Sequence, residues 1–148
     1  TQRVESAEDM LAALKNMDFQ TLIMAAAPAD FRPAERVGGK IKKAGGLPTL
    51  ALAPAPDILK SLPRAKGQVF IGFAAEDRDI VERARGKLKD KNLDLVAANQ
   101  AGGPASAFAA EDNHLWLVFK DGRAEEISPR PKFAAAWAII DAASPLMG

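Results

Sequence analysis

Five cations crowd a short stretch of this chain. Arg32, Arg36, Lys40, Lys42 and Lys43 stand there against only two carboxylates, Asp30 and Glu35. Paired glycines, Gly38-Gly39 and Gly45-Gly46, flank the lysines. A basic loop hinged in this way could close over a polyphosphate. Lysine would act there as a compact point charge neutralising a leaving group. The plain alternative is a solvated basic loop. Gly39-Lys40 is not a Walker A motif, because the first glycine is missing and Ile41 stands where Ser or Thr is needed.

Other residues offer related chemistry. Asp30 follows a buried apolar run and could hold a magnesium–triphosphate or a ribose hydroxyl. It could equally be a cap or a partner for Arg32. Arg83, Lys87 and Lys91 recur every fourth residue, so on a helix they share a face. They could reach phosphates, or be an ordinary charged face paired with Glu82 or Asp90. Phe73 could stack on a base or simply fill the core. Asn99 could bond a ligand, although asparagine is common in turns. His114 begins the hairpin and reads as structural. Gly102-Gly103 is a weak phosphate-loop signal and a common turn.

Composition narrows the field. The 148 residues suit one domain, and 48% of them are apolar. With no cysteine, disulfides, thiolate metal sites and cysteine nucleophiles are excluded. One histidine excludes multi-histidine metal centres. A net charge of +1 gives no basic field for nucleic acid. No apolar run reaches the roughly 18 residues of a membrane span. The polar start is unlike a signal peptide, and a cytoplasmic protein is expected.

The elements that must position these residues follow from periodicity. Ser6 and Asp9 form a capping-box pattern before Ala7, Met10, Leu11 and Leu14, which repeat at helical spacing. Residues 19–27 contain an unbroken apolar run, as in a strand buried on both faces. Residues 28–48 read as a long loop, 49–53 as a short strand, and 57–62 as a short helix with Pro56 at its start. Residues 68–74 and 93–98 read as two more buried strands. Between them lies a helix capped by Asp77 or Asp79, with Ile80, Val81, Ala84 and Leu88 as its apolar stripe. Residues 115–119 and 124–127 flank Asp121-Gly122 as a hairpin. Phe133, Trp137 and Ile140 mark a final helix. Strands alternating with helices predict a parallel α/β sheet with a small antiparallel hairpin at one edge. Ligands of such sheets bind beyond the carboxyl ends of the strands.

Read in order, six segments resemble one family: AAAPADFRP (25–33), KIKK (40–43), APDIL (55–59), GFAAE (72–76), KLKDKNLDLVAAN (87–99) and DNHLWLVFKDG (112–122). Together they closely resemble the CTP-dependent phosphopantothenate–cysteine ligase domain of coenzyme A biosynthesis. The resemblance covers nearly the whole chain. It implies a Rossmann-like fold and a reaction of CTP, 4′-phosphopantothenate and L-cysteine through an acyl-cytidylate. It also implies Mg2+ with the triphosphate and a homodimer through this domain. FMN would belong only to a fused decarboxylase domain, not to this chain. Carried over by position, Met24, Ala25 and Ala26 would line the nucleotide site through backbone. Asp30 would contact the nucleotide and its metal. Lys40 would support acyl-cytidylate formation. Pro56, Asp57, Ile58 and Leu59 would form a wall, completed by Phe73, Lys87 and Lys91.

The family begins with a strand and a glycine-rich segment, then an arginine and an asparagine tied to the second half-reaction. Here the sequence opens at Thr1-Gln2-Arg3-Val4. The expectation is therefore a single CTP-binding domain over residues 1–148 without that first segment, binding CTP more weakly than a full domain. Two rival readings remain. One is a non-catalytic α/β nucleotide- or flavin-binding module. The other is a domain that docks an acidic protein or RNA on its basic loop.

Overall fold

The computed structural model describes residues 1–39, 49–101 and 112–148. In chain order the elements are α1 (Ala7–Lys15), β1 (Thr21–Met24), β2 (Phe31–Pro33), β3 (Leu52–Pro54), α2 (Ile58–Ser61), β4 (Val69–Glu76), α3 (Ile80–Asp90), β5 (Leu95–Gln100), β6 (Asp112–Phe119), β7 (Ala124–Pro131) and α4 (Lys132–Ala143). A 3-10 turn, Ser144–Leu146, follows them. Two compact units result. One comprises Thr1–Met17 and Ala27–Pro63, the other Asp18–Ala26 and Arg64–Gly148.

The larger unit holds a five-stranded sheet in the order β1-β4-β5-β6-β7. Strands β1, β4 and β5 run parallel, and the β6–β7 hairpin extends the sheet antiparallel. The α/β class and the edge hairpin expected from the sequence are both present. Apolar runs at 69–71 and 95–98 are buried, because helices cover the sheet. Helix α3 lies along β4, β5 and β6, while α4 packs on β6 and β7. Val69, Ile71, Leu95, Leu117 and Phe119 form one core cluster with Ala135, Ile139 and Ala143 of α4.

The inward face of α4 is therefore two alanines and Ile139. Its sequence markers point outward instead, with Phe133 76% and Trp137 54% exposed. The helix is where the spacing put it, but the stripe that revealed it is not the packed one.

Other junctions show what local reading misses. Asp79 occupies the cap position of α3, but in the left-handed region (φ 46°), and its side chain makes no capping bond. Of the two expected caps, Asp79 is thus the N-cap by position but not by side-chain hydrogen bond. The far end of α3 closes through Asn92 at φ 48°, with Leu93 N–H donating to Leu88 O at 2.9 Å. At Gly72 a Cβ would lie 2.6 Å from Leu93 Cδ1, and Leu93 is fully buried, which accounts for glycine inside a strand. In the hairpin turn Gly122 takes φ 96°, as the Asp-Gly pair anticipates. One register irregularity separates the Asn113–Arg130 pair from the Leu115–Ile127 pair. Pro129, which has no N–H to donate, lies within it.

The two outer strands differ. β7 carries Glu125, Glu126, Pro129 and Pro131, which discourage further pairing. β1 carries no charge and no proline, and its Ile23 is 40% exposed.

In the smaller unit the capping box is complete. Ser6 Oγ accepts from Asp9 N–H at 3.1 Å, and Asp9 Oδ2 accepts from Ser6 N–H at 3.0 Å. Hydrogen bonding to the Ser6 side chain first, then to its backbone, holds the Asp9 carboxyl below its ordinary 3.8. The ionised form is thus favoured in the fold. Its contribution is complete above the ordinary carboxylate range and is lost as pH falls through the lowered folded value. Ser6→Ala should destabilise this unit by about 1 kcal/mol in urea unfolding at neutral pH. The difference from the parent should shrink in acid; a constant difference down to acid pH would refute the Asp9 linkage.

The expected loop at 28–48 is partly strand. β2 pairs antiparallel with β3, Arg32 opposite Ala53, and Ala55 N–H donating to Asp30 O extends the ladder. Phe31-Arg32-Pro33 has no alternation of its own, so only the long-range pairing makes it extended. Helix α2 starts at Ile58, one residue later than expected. Asp57 caps it by accepting from Lys60 N–H at 3.3 Å, which leaves Pro56 outside.

Candidate functional site

The carboxyl ends of the parallel strands converge within the larger unit. Met24 ends β1, Glu76 ends β4 and Gln100 ends β5, with Glu76 and Gln100 in register. The antiparallel β6 brings its first residues, Asp112 to His114, to the same rim. This is the edge at which an α/β sheet takes its ligand.

Met24 is buried, whereas Ala25 and Ala26 just beyond the strand are exposed. Their backbone groups are therefore the accessible part of that segment. Phe73 packs partly buried on the α4-side cluster, so core packing occupies much of its ring. Lys87 and Lys91 stand on α3, against the other face of the sheet.

Because α3 runs back from the rim, a rise of ~1.5 Å per residue sets Lys87 and Lys91 roughly 10 and 16 Å along it from Ile80. Lys91 is the residue at its C-terminal cap. Of the basic row, Arg83 lies nearest the rim. It is not a bare cation: its Nη1 stands 3.4 Å from Glu76 Oε2 and 3.9 Å from Asp77 Oδ1. Sequence spacing missed this grouping, because Glu76 and Arg83 belong to different elements.

In the smaller unit Asp30 is exposed immediately before β2. Its backbone carbonyl is used by the β2–β3 ladder, while its carboxylate has no ion-pair partner among the described residues. Arg32 pairs with Glu8 at 2.7 Å instead, so the reading of Asp30 as the partner of Arg32 is not realised. Pro56, Asp57 and Leu59 are partly exposed around α2, whereas Ile58 is buried. Lys40, Lys42, Lys43, Gly45-Gly46 and Gly102-Gly103 lie outside the described residues.

His114, read from the sequence as structural, pairs across the hairpin. Its Nε2 is 2.7 Å from Glu126 Oε1, and its ring lies 4.1 Å from that of Trp116. Both contacts tie β6 to β7 or β6 to itself. Among the described residues no group of three or more acidic, histidine or cysteine side chains could cage a metal. No helix among them is long and apolar enough to cross a membrane.

Residues 1–146 match the family described as the DNA/pantothenate metabolism flavoprotein C-terminal domain. The chain belongs to this family. It is 39% identical over 140 residues to the coenzyme A biosynthesis bifunctional protein CoaBC of Bacillus subtilis (strain 168), covering 93% of this chain and 34% of that protein. The protein of the same name from Mycobacterium tuberculosis (strain ATCC 25618 / H37Rv) is 40% identical over 133 residues, covering 82% of this chain and 32% of the relative. The chain thus spans about a third of the length of these relatives. The crystal structure of the C-terminal domain of a coenzyme A biosynthesis bifunctional protein CoaBC superposes with a TM-score of 0.69 at 33% identity, covering 94% of this chain and 61% of that one. The family expected from the six ordered segments is the one these matches show, and the fold agrees with that of a solved member.

Proposed function

We propose that this chain is the CTP-binding part of a phosphopantothenate–cysteine ligase acting in coenzyme A biosynthesis. The observation that carries the reading is the similarity of nearly the whole chain to proteins named for that biosynthesis. In the first half-reaction the pantothenate carboxylate oxygen attacks the α-phosphorus of CTP, and pyrophosphate leaves with the electron pair of the broken P–O bond. In the second, the cysteine amine attacks the acyl carbon, loses a proton and expels CMP. The products are phosphopantothenoylcysteine, CMP and pyrophosphate.

Each residue has a task suited to its chemistry. Backbone groups of Pro56 to Leu59 would read the cytosine edge and so distinguish CTP from ATP, while those of Met24 to Ala26 would line the nucleotide. Lys40 would neutralise charge developing on the departing pyrophosphate. Magnesium is carried largely by the triphosphate and needs only one or two protein carboxylates. Asp30, exposed and without an ion-pair partner among the described residues, fits that modest demand. The metal would supply charge neutralisation of the phosphates. The working assembly is a homodimer, and its place the cytoplasm.

Titration calorimetry in magnesium separates this reading from a generic nucleotide module. CTP should bind at least about tenfold more tightly than ATP or GTP, a difference of ~1.4 kcal/mol. No heat with CTP, or equal affinities for all three, would sink it.

A further inference from the structure

Glu76 and Arg83 face each other across the junction where β4 hands over to α3, at the carboxyl rim of the sheet. Glu76 is rigidly placed. Its backbone is paired in register with Gln100, and its carbonyl accepts from Ala101 N–H at 2.8 Å. Its side chain is only 18% exposed, whereas that of Arg83 is 41% exposed. The guanidinium rests between two carboxylates at 3.4 and 3.9 Å, both long for charge-assisted bonds. A guanidinium carries five N–H donors, and the described residues engage few of them. A pair this long, with its guanidinium partly in solvent, does little for stability. What it does is keep a planar donor fork at the rim, where Lys87 and Lys91 are set back along the helix.

We propose that Arg83 is a phosphate-binding residue of this site, specific for the polyphosphate part of a nucleoside triphosphate, and that Glu76 is the residue that positions it. The proposal rests on the CTP reading above. Phosphate oxygens at short, bidentate distance would displace the long contacts to Glu76 and Asp77, since both are weaker than an arginine–phosphate fork. Glu76 then limits the guanidinium to the rim before the nucleotide arrives. A monophosphate, lacking the outer phosphates, would gain little from it.

The test is calorimetry of the 148-residue chain with magnesium–CTP and with CMP, alongside urea unfolding. Arg83→Gln should weaken magnesium–CTP about tenfold, the worth of one charged hydrogen-bonding group. CMP affinity should stay within about twofold, as expected for a contact to the outer phosphates alone. Arg83→Lys should recover only part of the loss, because it keeps the charge without the fork. Glu76→Gln should weaken CTP about threefold, a cost of misplacing rather than removing the donor. Unfolding midpoints should be unchanged throughout. Equal losses for CTP and CMP would overturn the proposal, as would tighter CTP binding by Glu76→Gln. If Arg83→Gln binds CTP as tightly as the unsubstituted chain, the inference fails and the CTP reading stands. If the unsubstituted chain binds no CTP, both fall.

Discussion

Asp94→Ala is expected to destabilise the protein by about 3 kcal/mol, the usual consequence of removing one partner from a largely buried ion pair. Asp94 precedes β5 at the end of the sheet opposite the candidate site. Its Oδ2 accepts from Arg64 Nη2 and from Phe70 N–H, the latter at 2.8 Å. Lys120 Nζ stands 3.7 Å from Oδ1. The Arg64 and Asp94 side chains are only 21% and 15% exposed.

Arg64 also donates to Gln68 O and to Asn92 O, and its guanidinium lies 4.9 Å above the Phe70 ring. One carboxylate thus joins the starts of β4 and β5 to the end of β6. Alanine would strand a half-desolvated guanidinium and the Phe70 N–H together. Asparagine keeps an acceptor but loses the charge, and should fall between alanine and the parent. The urea midpoint at constant slope measures both. A loss below about 0.5 kcal/mol for alanine, the range of ordinary surface substitutions, would show that the pair is dispensable. Nucleotide affinity per folded molecule should not change, because the network lies at the far end of the strands.

Lys40→Gln is expected to lower pyrophosphate release from CTP in the presence of 4′-phosphopantothenate by about 100-fold, in the range seen on losing one electrostatic stabiliser of a transition state. The substitution keeps length and hydrogen-bonding capacity and removes only the charge. A lysine that merely binds CTP would raise the CTP concentration needed without lowering the maximal rate. One that stabilises the departing pyrophosphate lowers the rate at saturating CTP. An unchanged saturating rate would therefore take Lys40 out of the acyl-cytidylate step. A non-catalytic nucleotide module would show no release to lose.

Much of the fold is legible in local patterns. The capping box at Ser6 and Asp9, the buried runs of β4 and β5 and the Asp121-Gly122 turn are all where the residues put them. Each depends on interactions within a few positions, so spacing reports them faithfully. The candidate site was legible in another way. Ordered segments revealed the family and, through it, the residues that match its site. Neither composition nor periodicity distinguished the lysines from solvated ones.

Tertiary structure decided the rest. Arg32 turned to Glu8 and left Asp30 without an ion-pair partner among the described residues. Asp57 became a helix cap. Phe133 and Trp137 turned outward, while Ala135, Ile139 and Ala143 face the sheet. Arg64 and Asp94, unremarkable among many charges, became a lock across three strands. Arg83 moved to the front of the basic row, because α3 descends from the rim and carries Lys87 and Lys91 away. The sequence by itself determined the family, the order of elements and the chemical types available. Which charges meet depends on contacts between residues far apart in the chain. The energy of an ion pair is set by separation in space and by the solvent left around it, and neither can be read from position in a string.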